Sequence, residues 1–258
     1  FAFDMNPLYE KLGKSREGIM SNEERRCLLD EKVDVLLECP FSEDVTSMSA
    51  EDFIRKILIE KIHARYIVIG TDFHFGHDKR GDAKMLAEYV YGYELFVIEK
   101  EMYGKREISS SYVREELRKG NMEAVNDMLG YAYTVRGKVE HGRQLGRKLG
   151  FPTLNVHPSR DKLLPPNGVY LDSVRIDGIW YNGIGNVGFK PTVSDEKRML
   201  IESNLLDYSG DAYGKEVEIQ LYHFKRPEQK FESIEMMKAQ IDQDIAYAKE
   251  FFRYHHKK

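Results

Sequence analysis

The sequence predicts a two-part fold, a doubly wound α/β half followed by a small antiparallel β-barrel with one long helix after it. Three observations carry this. In the first half, amphipathic helical stretches alternate with short β-branched runs. After about Tyr131, short strand-like segments follow one another with Gly, Pro, Asn and Asp between them. From Ser233 onward, apolar residues recur at helical spacing.

The elements follow in order. "SNEERRCLLDE" offers Ser21 as a helix cap with Glu24 three residues on, a capping box, and the apolar run Val33 to Leu37 after it has strand character. "SAEDFIRKILIEKI" starts at a Ser49 cap and repeats Phe53, Ile54, Ile57, Leu58 and Ile62 on one helical face. It leads into "YIVIG", a run of the kind buried on both faces of a parallel sheet, so the unit is strand, helix, strand. A further strand, "ELFVIE", and a helix, "SYVREELRKG", stopped by Gly120, continue the pattern. The texture changes at "MLGYAY", residues 128 to 133, with no flexible linker, which places one domain at 1–129 and a second at 130–258. In the second, "YTVRGKV", "GVYLDSVRI", "IWYNGIGNV", "LIESNLLD" and "EVEIQLYHF" read as barrel strands. Ile234, Met237, Ile241, Ile245, Ala248 and Phe252 then form one apolar stripe to lie on the barrel.

Composition narrows the function. The 258 residues are 41% apolar and 32% charged, with a net charge of -4, and show neither a basic excess nor the aromatic and basic stripe of a single-strand binder, which argues against nucleic acid. Cys27 and Cys39 fit neither a zinc cage nor a disulfide framework, so a reducing cytoplasm is the expected setting. No apolar run approaches the ~20 residues that span a bilayer.

Chemistry concentrates in "HGRQLGRKLGFPTLN", residues 141 to 155. Gly142, Gly146 and Gly150 can let backbone N–H groups approach phosphate, while His141, Arg143, Arg147 and Lys148 add positive charge. It is not a Walker loop, because Lys and Ser or Thr do not follow Gly146 in the required places. Thr153 and Asn155, two apart on an extended segment, direct neutral oxygens to the same side, which suits Mg2+ carrying substrate phosphates. The alternative is a glycine-rich turn with solvated charges.

The stretch "GKVEHGRQLGRKLGFPTLN" resembles the riboflavin kinase signature, with Leu154 where the family usually has Ala, a change that affects packing only. "LLPPNGVY", "NVGFKPTV", "IESNLLDYSGDAYGKEVEIQ" and "KRPEQKFESIEMMKAQIDQD" match the rest of that module in order. The resemblance implies that Gly142, Gly146, Arg147, Gly150, Thr153 and Asn155 bind ATP, with Thr153 and Asn155 holding Mg2+. It also implies that Glu202 is the base acting on the ribityl hydroxyl of riboflavin, and that Glu202 and Arg226 lie at the flavin. By alternation Glu202 shares a strand face with Leu200, Asn204 and Leu206, which would leave it partly desolvated. Asn204 stands where many relatives have His. An exposed, salt-bridging Arg226 is the plainer alternative for that residue.

The first half resembles the adenylyltransferase module of bifunctional bacterial riboflavin kinase/FAD synthetases, through "FAFDMNP", "VIGTDFHFGHDKRGD" and "ISSSYVREEL". The implied fold is a Rossmann-like nucleotidyltransferase domain followed by the barrel kinase domain. The implied sites are Ser109, Ser110, Ser111 and Arg114 for ATP, at a helix start suited to phosphate, and Pro7, Asp72 and Phe75 for the flavin. Met5 and Asn6 depart from the family's Pro and His, which leaves that flavin assignment to Pro7 and its neighbours. His74 and His77 lack the partner cluster of a metal site, and His255 and His256 read as a frayed terminus.

The family's Gly-x-Phe-Asp-Gly-x-His-x-Gly-His element, which receives the ATP triphosphate, does not occur in the sequence, which opens without an initiator Met. The expectation is therefore a chain that phosphorylates riboflavin and adenylylates FMN poorly or not at all. A kinase with a scaffold N-terminal half and a non-catalytic flavin or nucleotide sensor are the competing readings. Residues 157 to 167 and 189 to 198 are expected to form lids.

Overall fold

A computed structural model of the chain describes residues 1–4, 17–89, 92–142, 146, 149–191 and 197–255. Among these, 1–4 and 30–108 form one compact unit, and 17–29 and 109–255 form another. No helix is long and apolar enough to cross a membrane among the described residues.

In the first unit β1 (Ala2–Asp4) pairs in parallel with β2 (Glu38–Pro40), and the helix between them, α1 (Asn22–Leu29), belongs to the other unit. A short α2 (Glu43–Thr46) precedes α3 (Ala50–Asp52), which continues as a π-helical segment, Phe53–Lys61. Ser49 caps α3 as expected, its hydroxyl accepting from the Asp52 N–H at 3.1 Å. Strand β3 (Tyr66–Gly70) pairs in parallel with β4 (Glu94–Ile98), with α4 (Ala83–Glu88) in the crossover, and β5 (Met102–Tyr103) and β6 (Arg106–Glu107) form a hairpin.

Two stretches of this unit differ from the pattern their residues predict. The run Val33 to Leu37 is not a strand; pairing begins at Glu38, and Val35 is 70% exposed. Nor is "YIVIG" buried on both faces. Ile67 and Ile69 join Phe53, Ile54, Phe75 and Leu86 in the core, whereas Tyr66 and Val68 are 67% and 64% exposed. Among the described residues the two parallel pairs do not join in one sheet and the helical segments cover a single face of β3, so a continuous apolar run acquires the alternation of a half-covered strand.

In the second unit six strands close a barrel: β7 (Tyr133–Glu140), β8 (Leu154–Val156), β9 (Gly168–Ile176), β10 (Ile179–Pro191), β11 (Lys197–Leu205) and β12 (Glu216–Arg226). Around the barrel the order is β10, β11, β8, β7, β12, β9, and the described pairings are all antiparallel. Asp177 and Gly178 turn β9 into β10 with φ of 51° and 83°, the paired positive values that match the twist of a tight hairpin. Helix α5 (Ser110–Lys119) packs against α6 (Met122–Leu129), which packs on the barrel, where Asn126 donates to the Leu221 carbonyl at 3.0 Å and accepts from the Tyr133 N–H at 2.7 Å. Gly120 and Gly130 end these helices in the left-handed conformation.

Helix α1 is tied to the barrel by a buried ion pair. Lys162 donates to Glu24 at 2.7 Å, to the Ile19 carbonyl at 2.7 Å and to the Thr134 carbonyl at 2.6 Å, and lies over the Tyr133 ring. Burial pulls the Lys162 pKa down even beside Glu24. All three ammonium donors are used, which makes a charge at this depth tolerable. The capping box is present, with Ser21 and Glu24 bonded reciprocally at 2.8 and 3.1 Å. Lys162 thus pins the middle of the 157–167 segment, and Tyr133 donates to the Leu163 carbonyl beside it, so the lid expectation there meets an anchored loop. Residues 192–196 of the other expected lid lie outside the described residues.

The long helix α7 (Ile234–His255) divides its stripe. Ala248 and Phe252 pack against Val169, Leu171 and Ile184 on the barrel wall, whereas Met237 and Ile241 line a cavity and Ile234 is exposed.

Candidate active site

The cavity lies where β8, β10 and β11 pass under the first half of α7, and it encloses about 840 Å³. Its position follows from register. Asn155 on β8 stands opposite Glu202 on β11, and Glu202 stands opposite Asn186 on β10, so one polar residue from each strand falls in a row on one face. Thr153 and Asn204 line the same cavity, and Leu149, Phe151, Val169, Ile184, Met237 and Ile241 give it apolar walls. A second cavity of about 360 Å³ lies between Pro152–Asn155 and the loop from Tyr208 to Tyr213, so Thr153 and Asn155 line both. At its edge the His141 ring stacks on Tyr213, with centroids 3.8 Å apart.

The glycines of the 141–155 stretch have separate tasks. A β-carbon on Gly142 would fall 2.6 Å from Asn155 Oδ1 and 2.7 Å from its Nδ2, so only glycine lets the chain pass over that amide. One on Gly146 would collide with the Phe151 carbonyl oxygen and sit 3.6 Å from Thr153 Oγ1. Gly150 has a φ of 94°, which L side chains rarely adopt. Two of the three glycines therefore allow close packing around Thr153 and Asn155.

Asn155 is 6% exposed, and its Oδ1 has no hydrogen-bond partner among the described residues. A buried amide oxygen left unpaired is costly unless a ligand completes it. Together with the Thr153 hydroxyl it forms a neutral, hard-oxygen pair of the kind Mg2+ accepts when phosphates and water supply its other ligands. The donor set fits that ion.

Arg226 lines the cavity, but its guanidinium is committed. It forks onto the Asp244 carboxylate of α7, with Nε at 3.0 and 3.2 Å and Nη2 at 2.6 Å, and its Nη1 donates to the Pro227 carbonyl. Asp244 also accepts from Gln240 at 3.1 Å. The pair fastens β12 to α7 across the cavity floor. Asn186 donates to Glu228 at 2.8 Å, which brings a second carboxylate to the wall.

Asn186, Glu228 and Asp244 were missed as site residues. Asp244 carried a signal, since an acid within the stripe 237, 241, 245, 248 needs a buried partner. The others depend on strand register, which is long-range.

The adenylyltransferase candidates fall on both compact units. Ser109 caps α5, accepting from the Tyr112 N–H at 3.2 Å, and Ser110 and Ser111 open the helix. Arg114 donates to the Glu17 carbonyl at 3.1 Å. In the other unit Asp72 pairs with Lys100 at 2.6 Å, and that hydrogen bond holds its carboxyl below the usual range. Phe75 is 4% exposed and packs against Phe53 and Phe73, which places it in the aromatic core. The Nδ1 atoms of His74 and His77 each face a backbone carbonyl, at 2.9 and 2.8 Å. Met5, Asn6, Pro7, Arg143, Arg147, Lys148 and His256 lie outside the described residues, as does the side chain of His255.

The chain matches known proteins along both halves. The riboflavin kinase family model matches residues 129–252, and the FAD synthetase model matches residues 1–112. The bifunctional riboflavin kinase/FMN adenylyltransferase of Listeria monocytogenes is 35% identical over 223 residues, 85% of this chain and 70% of that protein. The protein of the same description from Escherichia coli K12 is 35% identical over 235 residues, 89% of this chain and 74% of its own length. Among solved structures, one from Streptococcus pneumoniae described as a macrolide-efflux protein superposes with a TM-score of 0.82 at 29% identity, covering 90% of this chain and 76% of that one. With both modules matched in chain order and whole relatives aligned across most of their length, this chain belongs to the bifunctional riboflavin kinase/FMN adenylyltransferase family.

Proposed function

We propose that the chain makes flavin cofactors in two steps, transferring the γ-phosphoryl group of ATP to riboflavin to give FMN and ADP, and the adenylyl group of ATP to FMN to give FAD and pyrophosphate. The observation that carries the first step is the convergence of Thr153, Asn155 and Glu202 on one cavity wall. The larger, apolar-walled cavity suits the flat flavin ring, and the smaller one beyond Thr153 and Asn155 suits the nucleotide.

In this reading Glu202 accepts the proton of the ribityl hydroxyl as its oxygen attacks the γ-phosphorus, and ADP departs. Thr153 and Asn155 would hold Mg2+, which supplies charge neutralisation on the phosphates when bound. The Arg226–Asp244 fork keeps α7 seated over the flavin end. The kinase module is taken as residues 130–258 and the adenylyltransferase module as 1–129. Ser109, Ser110, Ser111 and Arg114 serve ATP, and Pro7, Asp72 and Phe75 serve the flavin, Phe75 by packing beneath that site. The chemistry is assigned to the cytoplasm, on a monomer or weak homo-oligomer, and needs only small-molecule partners.

Incubating the chain with riboflavin and Mg–ATP, then separating the flavins chromatographically, tests both steps. FMN is the expected product of the first, and substantial FAD would show that the second proceeds without the Gly-x-Phe-Asp-Gly-x-His-x-Gly-His element that the sequence lacks. A chain that retains bound riboflavin yet forms no FMN would be a sensor instead.

A further inference from the structure

We propose that Asn204 is a positioning residue for phosphoryl transfer, acting through Pro152 to hold Thr153 in line with Glu202; this rests on the kinase reading of the cavity. Strand β8 is three residues long, and its ladder with β11 ends at the pair Leu154–Ser203. The chain leading into it, Pro152 and Thr153, lies beyond the last rung. Pro152 has no N–H with which to extend the pairing. In place of the next rung, the Asn204 side chain donates from Nδ2 to the Pro152 carbonyl oxygen at 2.8 Å. Thr153 is thereby fixed from both sides, by Asn204 through Pro152 before it and by the backbone ladder from Leu154 after it.

The same residue sits two places after Glu202, on the same strand face and in the same cavity. One side chain therefore links the segment carrying a phosphate-side oxygen to the strand carrying the base. That link matters to rate because a misplacement of about 1 Å between reacting groups can cost about 100-fold. The chemistry of the position calls for a neutral donor. An aspartate of identical shape would set an acceptor against the Pro152 carbonyl, whereas histidine in its Nδ1–H tautomer offers a donor the same number of bonds from the backbone as Asn204 Nδ2.

The test compares Asn204→Asp, Asn204→Ala and Asn204→His with the wild-type chain. Steady-state kinetics are run with each substrate varied, and hydrogen exchange is read on the peptide spanning residues 149–156. Losing the bond should raise KM for Mg–ATP by about 3- to 10-fold in the Asp and Ala variants, the range expected for one neutral hydrogen bond. Riboflavin KM should stay within about twofold, exchange in 149–156 should speed up, and the His variant should recover most of the loss. Thermal unfolding run alongside shows that all variants fold. Wild-type KM for Mg–ATP and unchanged exchange in Asn204→Asp would overturn the proposal, as would an effect confined to riboflavin KM. If the wild-type chain forms no FMN, the kinase reading fails on its own. The exchange data still decide whether Asn204 anchors the segment.

Discussion

Asn155 and Glu202 face each other directly across the β8–β11 ladder, and Asn186 extends their row onto β10. In a closed barrel this register cannot slip by one residue without turning whole strands inside out, so the buried neighbours Ile201 and Ser203 fix Glu202 outward. Opposed β-carbons lie about 4.5–5.5 Å apart, which places a carboxylate and an unpaired amide oxygen at one substrate's reach. The barrel's packing thus sets the spacing on which the proposed chemistry depends.

Replacing Glu202 by Gln keeps the shape and removes the base. The expected result is a fall in kcat for FMN formation of about 10²- to 10⁴-fold, the usual contribution of a positioned general base. Riboflavin binding, followed by flavin fluorescence, should change by no more than a few-fold. A variant retaining kcat within about tenfold would remove Glu202 from that role.

Gly142→Ala tests the fit around Asn155. The added methyl would stand 2.6 Å from Asn155 Oδ1, so either the chain at residue 142 or the Asn155 amide must shift, and a shift of the amide displaces the proposed metal oxygen. KM for Mg–ATP should rise about tenfold or more, with the unfolding midpoint changed little. Titrating Mg2+ at fixed ATP should show the same displacement, and an unchanged Mg2+ dependence would separate Asn155 from the metal.

These residues differ in how readable they were. The barrel strands are legible because Gly, Pro and Asn-rich turns punctuate them, and Thr153, Asn155 and Glu202 stand in motifs that carry their own resemblance. The exposure of Tyr66 and Val68 was not legible, because an apolar run does not say how many faces will be covered. Asn186 and Glu228 reach the cavity through pairings between distant segments. Arg226 was placed at the flavin end, yet what its guanidinium grips is Asp244, eighteen residues further on in a helix.

That fork gives a stability prediction. The side chains of Arg226 and Asp244 are 15% and 4% exposed, so removing the cation strands a buried carboxylate with Gln240 as its remaining donor in this network. Arg226→Ala should destabilise the chain by about 3–5 kcal/mol in urea unfolding, the range for breaking a buried pair. Joining it with Asp244→Leu should recover much of the loss, because the unpaired charge is gone. If the double variant is as unstable as Arg226→Ala, packing rather than charge governs the position.

Asp172 predicts a pH dependence of opposite sense to most carboxylates. It is fully buried in the barrel; Ser203 donates to its Oδ1 at 3.0 Å, while Oδ2 has no partner among the described residues and Gly183 and Gly185 pack against the carboxyl group. Burial pushes its pKa up from 3.8 to about 7, with the Ser203 hydrogen bond opposing. Between those values the folded chain keeps a proton that the unfolded chain has released. Stability from this group is therefore complete below about pH 4, declines as pH rises toward 7, and is level above it. In urea unfolding, the advantage of wild type over Asp172→Asn should shrink by roughly 2–3 kcal/mol between pH 5 and pH 8, on the order of 1.4 kcal/mol for each pH unit up to 7. The comparison isolates Asp172 because every other titrating group is common to both chains, so a difference that stays constant with pH would mean that Asp172 ionises in the barrel at its ordinary pKa.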